Sequence, residues 1–136
     1  MPSFGDSPTT SSHTAAIASV VGWQLWLAGC NLNFAPDVDI NSNPNNPVIG
    51  VRSFGADPAL VARHSGAWIR GIESTGTAAS AKHFPGHGDT AQDSHLALPV
   101  VDFPLAVLRN RELLPFESAI AAGSRTIDVA RPVTPG

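Results

Sequence analysis

The sequence holds a single cysteine, Cys30, among 136 residues, so an internal disulfide cannot form. A small secreted disulfide scaffold is thereby excluded. Charge is also scarce: 14% of residues are charged, with eight Lys and Arg against eleven Asp and Glu and a net charge of −3. No block of like charges occurs, so neither a polyanion-binding surface nor an acidic tail is expected, and nucleic acid is not an expected partner. No run approaches the ~20 apolar residues that span a bilayer. Met1 to Asp6 lacks the basic cluster of a signal peptide, which favours a cytoplasmic location without a membrane span. What is present is a core: 43% of residues are hydrophobic, with three Trp and six Phe, despite twelve Gly and twelve Pro. That composition and length predict one domain over residues 1–136 rather than a disordered chain.

Apolar spacing predicts three alternating units. A first helix is expected over about Thr10 to Ala28, with Ser11 or Ser12 as N-cap, Gly29 at C′, and Ile17, Val21, Leu25 and Ala28 on one stripe. Leu32 to Ala35 reads as a buried strand stopped by Pro36. The Asn- and Pro-rich loop that follows, Asp37 to Gly50, has too much turn chemistry to be a linker. Asp57-Pro58 then opens a second helix whose face is Leu60, Val61, Trp68, Ile69 and Ile72 and which is expected to end near Gly71. Thr77 to Ala81 reads as a strand delivering Lys82 and His83. A third helical region, Pro104 to Ala122, is expected to break at Pro115 and close at Gly123, with a last strand at Thr126 to Ala130. Such alternation predicts a parallel α/β fold, with ligand chemistry at the C-terminal ends of the strands. Trp23, Trp26 and Trp68 are expected in helix packing, and Cys30 as a small buried hydrophobe.

Chemistry concentrates in Lys82-His83-Phe84-Pro85-Gly86-His87-Gly88-Asp89-Thr90-Ala91-Gln92-Asp93-Ser94-His95, where three histidines, two carboxylates and a lysine fall within fourteen residues. Four readings compete. His83 and His87 stand four apart, but Pro85 and Gly86 disfavour a helix there and no Glu follows His83, so no metal is expected. Gly86-His87-Gly88 is a weak match to a phosphate cradle. Asp93 and His95, two apart in an extended segment, can pair as an acid–base couple in which the carboxylate fixes the imidazole tautomer. The remaining reading is that His and Asp satisfy the backbone of a glycine-rich turn.

As a whole, Lys82 to His95 with Leu96-Ala97-Leu98-Pro99 resembles the Lys-His-Phe-Pro-Gly-His-Gly…Asp-Ser-His motif of bacterial β-N-acetylglucosaminidases in glycoside hydrolase family 3. Asn31-Leu32-Asn33-Phe34-Ala35-Pro36 with Asp39, then Val48 to Phe54, then Leu108 to Phe116, resemble further landmarks of that family in the same order. The resemblance implies a partial (β/α)8 TIM barrel of about three βα units. It also implies that Asp93 and His95 form the acid–base dyad of a retaining glycosidase. In that scheme His95 protonates the leaving oxygen and later activates water, while Asp93 orients it. Arg52, Lys82 and His83 would hold the hydroxyls of a β-linked N-acetylglucosaminide, such as a peptidoglycan-derived fragment, without a cofactor. Hydrolysis is the expected outcome, with phosphorolysis as a variant.

Three departures qualify what the resemblance implies. No residue after His95 has the context of the family's nucleophilic Asp; Asp102 and Asp128 do not match it, and Arg131 stands where an Ala-His segment is usual. The acidic motif with paired glycines that usually precedes the first helix is also missing from Met1-Pro2-Ser3-Phe4-Gly5. The chain is therefore expected to be inactive alone, either as part of a glycosidase, as a noncatalytic carbohydrate-binding relic, or as the product of a truncated gene. About three units of an eight-unit barrel would leave strand edges and apolar helix surface open to self-association.

Overall fold

The protein is described as a computed structural model over residues 8–46, 48–88 and 104–130. In chain order it comprises α1 (Pro8–Leu27), β1 (Leu32–Asn33), a 3-10 turn (Gly50–Arg52), α2 (Pro58–Glu73) and β2 (Ala78–Phe84). It continues with α3 (Leu105–Val107), a π turn (Leu108–Glu112), α4 (Leu114–Ala121) and β3 (Thr126–Val129). The three strands form one parallel sheet in the order β1-β2-β3. Leu32 lies opposite Ala78, Ser80 opposite Thr126 and Lys82 opposite Asp128, with a register shift between Lys82 and Phe84. The alternating α/β order expected from the sequence is present. No helix is long and apolar enough to cross a membrane among the described residues.

The helices cover the sheet through a small-residue seam. Asp57 caps α2 by accepting the Leu60 N–H at 2.7 Å, and Pro58 sets the first-turn φ. Val61, Ile69 and Ile72 of α2 are fully buried, as are Val38, Ala79 and Ala81, and Phe116 and Ala119 of α4 close the core. Against α1, contact is made by glycine and alanine: a Cβ on Gly71 would lie 2.3 Å from the Ala15 carbonyl and 2.7 Å from the Ala18 Cβ. Gly71 is thus a packing position within α2, which runs on to Glu73 rather than ending there. Glu73 then ties the helix end to β2 and to the turn before β3. Its Oε1 accepts the Ala79 N–H at 2.9 Å, and its Oε2 pairs with the Arg125 Nε at 2.7 Å.

Several local expectations are corrected by this packing. The first helix starts at Pro8, so Ser11 and Ser12 lie inside it rather than capping it. Because Ala15, Ala18 and Gly22 face α2 and the turn after it, Ile17 and Ala28 fall on the exposed side. Trp23 and Trp26 are 51% and 52% exposed and meet edge to face at 5.7 Å, outside the core. Only Trp68 packs against the core, partly buried. Cys30 is exposed at the end of the α1–β1 turn, where Gly29 takes its expected positive φ of 84°. The third helical region breaks at Leu113, after the π turn, and Pro115 instead occupies the first turn of α4. The second strand extends through Phe84, which places Lys82 and His83 within it.

Gly71→Ala is expected to destabilise the fold by about 1–3 kcal/mol, because the added methyl must push two helix backbones apart. Urea unfolding that shows an unchanged midpoint would contradict the close α1–α2 seam.

Candidate active site

After β1 the chain stays extended through Pro36-Asp37-Val38-Asp39-Ile40, and the alternation of a strand divides its side chains. Val38 and Ile40 are fully buried in the interior, while Asp37 and Asp39 share the other side. This segment runs beside the end of β2. The Val38 N–H donates to the Lys82 carbonyl at 2.7 Å, and the Lys82 N–H donates to the Pro36 carbonyl at 3.1 Å. Asp37 and Lys82 form an isolated parallel bridge.

Asp39 stands at the centre of the resulting cluster. Its Oδ2 accepts the His83 N–H at 3.2 Å and lies 2.7 Å from His83 Nδ1; its Oδ1 accepts the His87 N–H at 2.6 Å. One carboxylate thus holds both the imidazole at the strand end and the loop leaving it. Such a buried anion is tolerated only with this many donors. Gly88 is pressed against the same segment: a Cβ there would lie 1.8 Å from the Ile40 carbonyl oxygen, so only glycine fits. From the other side, Asn46 Nδ2 donates to the His87 carbonyl at 2.9 Å while its Oδ1 accepts the N–H groups of Val48 and Ile49. The Asn-rich loop, expected from its turn chemistry not to be a linker, supports the His87 turn through Asn46.

Arg52 leaves the 3-10 turn with Nε and Nη2 donating to the Val48 carbonyl at 2.9 and 2.6 Å. Its Nη1 lies 3.7 Å from Asp37 Oδ2. Ala35, Pro36, Asp37, Arg52, Phe54 and Trp68 line a cavity of about 310 Å³ beside this pair. His83 and His87 meet edge to face with ring centroids 6.2 Å apart.

The two carboxyls titrate in opposite directions. Burial, followed by the charge of Asp39, pushes Asp37 up to about 7. Burial presses Asp39 upward as well, but it is outweighed by hydrogen bonding from His83 and Asp37, by the His83 charge and by the His87 N–H. Asp39 therefore sits below the usual carboxylate range.

Of the residues picked out by sequence, Arg52, Lys82 and His83 gather here at the C-terminal end of the sheet. Asp93 and His95 lie outside the described residues. Asp37 escaped notice as a site residue, although its signal was present: after a proline, Asp37-Val38-Asp39-Ile40 alternates polar and apolar like a half-buried strand. Asn46 was likewise hidden in a run read only as turns.

Comparison with known proteins gives consistent matches. Residues 3–133 match the glycosyl hydrolase family 3 N terminal domain. The chain is 47% identical over 110 residues to β-hexosaminidase A of Pseudoalteromonas piscicida, covering 81% of this chain and 18% of that protein. It is 37% identical over 131 residues to the β-hexosaminidase of Stenotrophomonas maltophilia (strain K279a), covering 93% and 38%. Among solved structures, a family 3 β-N-acetylglucosaminidase from Paenibacillus sp. str. FPU-7 superposes with a TM-score of 0.90 at 46% identity, covering 96% of this chain and 24% of that one. Native NagZ from Neisseria gonorrhoeae superposes with a TM-score of 0.87 at 33% identity, covering 95% and 37%. The chain thus spans well under half the length of each of these relatives. Its α/β architecture is that of part of a TIM-barrel domain.

Asp37→Asn removes an acid that binds its proton more tightly folded than unfolded. Such a group loses stabilising effect as pH rises from its unfolded value of 3.8 through about 7. The variant is therefore expected to gain stability relative to the parent at pH 8 compared with pH 4. Urea unfolding at the two pH values that shows the same difference at both would contradict the assignment.

Proposed function

The chain belongs to glycosyl hydrolase family 3, and from that premise we propose that it carries the sugar-binding and acid–base part of a β-N-acetylglucosaminidase. The observation that carries this reading is the way Asp39 presents His83. With Nδ1 turned to the carboxylate at 2.7 Å, Nε2 is the nitrogen left to meet a sugar hydroxyl. Lys82 precedes it on the same strand end, and Arg52 comes from the loop between β1 and α2, close to the buried Asp37. Rigid strand ends position the sugar, and the glycine-bearing segment after His83 leads toward the acid–base pair.

In this reading His95 donates a proton to the glycosidic oxygen as the bond breaks and then takes one from the water that releases the sugar. Asp93 holds the ring and stabilises its charged form. The retaining reaction also needs a nucleophilic carboxylate, which we assign outside these 136 residues, because no Asp after His95 has the matching context. The substrate is a terminal β-linked N-acetylglucosaminide, including peptidoglycan-derived fragments. Among the described residues β1 is an edge strand with Leu32 and Phe34 exposed, which supports self-association of this chain through barrel edges.

Calorimetric titration of this chain with N-acetylglucosamine is expected to show saturable binding that Lys82→Ala weakens at least tenfold. An aryl N-acetyl-β-glucosaminide is expected to remain uncleaved. Absence of binding would overturn the sugar-binding assignment, and turnover abolished by His95→Ala would overturn the placement of the nucleophile.

A further inference from the structure

We propose that Asp37, Asp39 and His83 form a binding site for one divalent cation of the zinc or manganese class at the joined ends of β1 and β2. One ligand atom from each of the three lies within 4.8 Å of the others. The sequence spaces His83 four residues from His87; the fold brings His83 instead to two carboxylates from the segment after β1.

Asp37 supplies the independent indication of a ligand. Its side chain is only 5% exposed, and among the described residues no N–H or hydroxyl donates to its Oδ2. Its Oδ1 accepts the Asp39 N–H at 3.2 Å, which leaves Oδ2 as the oxygen available to a cation. Arg52 is the nearest countercharge at 3.7 Å, but it directs Nε and Nη2 at the Val48 carbonyl instead. A buried carboxyl whose Oδ2 meets only a distant guanidinium and the neighbouring carboxyl of Asp39 is incompletely compensated, and a metal ion shared by the two carboxyls compensates it.

The donor set fixes the class of cation. Two carboxylates and one imidazole suit zinc or manganese better than calcium, which takes oxygen ligands alone, or copper(I), which takes sulfur. Metal–ligand bonds near 2.1 Å put neighbouring ligand atoms about 3 Å apart. Asp39 Oδ2 and His83 Nδ1 already stand 2.7 Å apart, so the ion takes the place of the proton they share, and that proton passes to solvent. The His87 N–H on Asp39 Oδ1 remains as an orienting contact. Three protein ligands leave a further position open on the side where His83 is 21% exposed.

The site shares His83 with the sugar-binding reading, using Nδ1 where that reading uses Nε2, and its test needs no activity. Titration of the chain with zinc chloride in a calorimeter is expected to show one equivalent bound, with affinity at least tenfold lower in Asp37→Asn. Substoichiometric manganese chloride is expected to broaden the ring proton resonances of His83 in the unsubstituted chain before those of the other histidines. Lack of saturable binding, equal affinity in Asp37→Asn, or broadening centred on another histidine would each overturn the proposal.

Discussion

The hydrogen bonds accepted by Asp39 are the constraint on which the site depends. A carboxylate buried to 1% residual exposure is costly unless each lone-pair direction meets a donor. Here the donors are the His83 N–H and imidazole and the His87 N–H, from a different segment of the chain. Satisfying the charge therefore fixes the distance between the end of β1 and the end of β2. It also fixes the rotamer of His83 and the start of the Pro85 to Gly88 turn.

Asp37 and Asp39 show how two like side chains two residues apart come to differ. Both are buried on one side of an extended segment, so both are desolvated. Asp39 faces the N–H groups of the β2 end and keeps its charge. Asp37 faces Arg52 only at 3.7 Å, with its neighbour's negative charge close by, and is driven toward neutrality. The difference is geometric, set by which strand end each carboxyl can reach. It makes the cluster a place where a proton, or another cation, is held with few competing partners.

The order of elements and the parallel sheet were legible in the sequence because period-3.6 spacing, short apolar or small-residue runs and the Asp57-Pro58 cap are local signals. The faces of α1 were not. Its apolar residues run around the helix, and the buried side is chosen by Gly71 and Thr75, fifty residues away, which admit only Ala18 and Gly22. Trp23 and Trp26 are left outside for the same reason, and no local rule places Cys30 at an exposed turn. In the candidate site, Arg52, Lys82 and His83 stood out because the ordered motifs that hold them resemble those of a known family. Asp37 and Asn46 did not, since their roles exist only once distant segments meet. The π turn before Leu113 also lacks a local signature; Glu112 within it is buried against Gly86 of the His83 turn and ion-paired with Arg111.

Amide hydrogen exchange in Asp39→Ala tests most directly whether one carboxylate organises the strand ends. The N–H groups of His83 and His87 are expected to lose protection together, while those of Ile69 in α2 and Phe116 in α4 keep theirs. Retained protection at His83 and His87, or a uniform loss across the domain, would contradict the account.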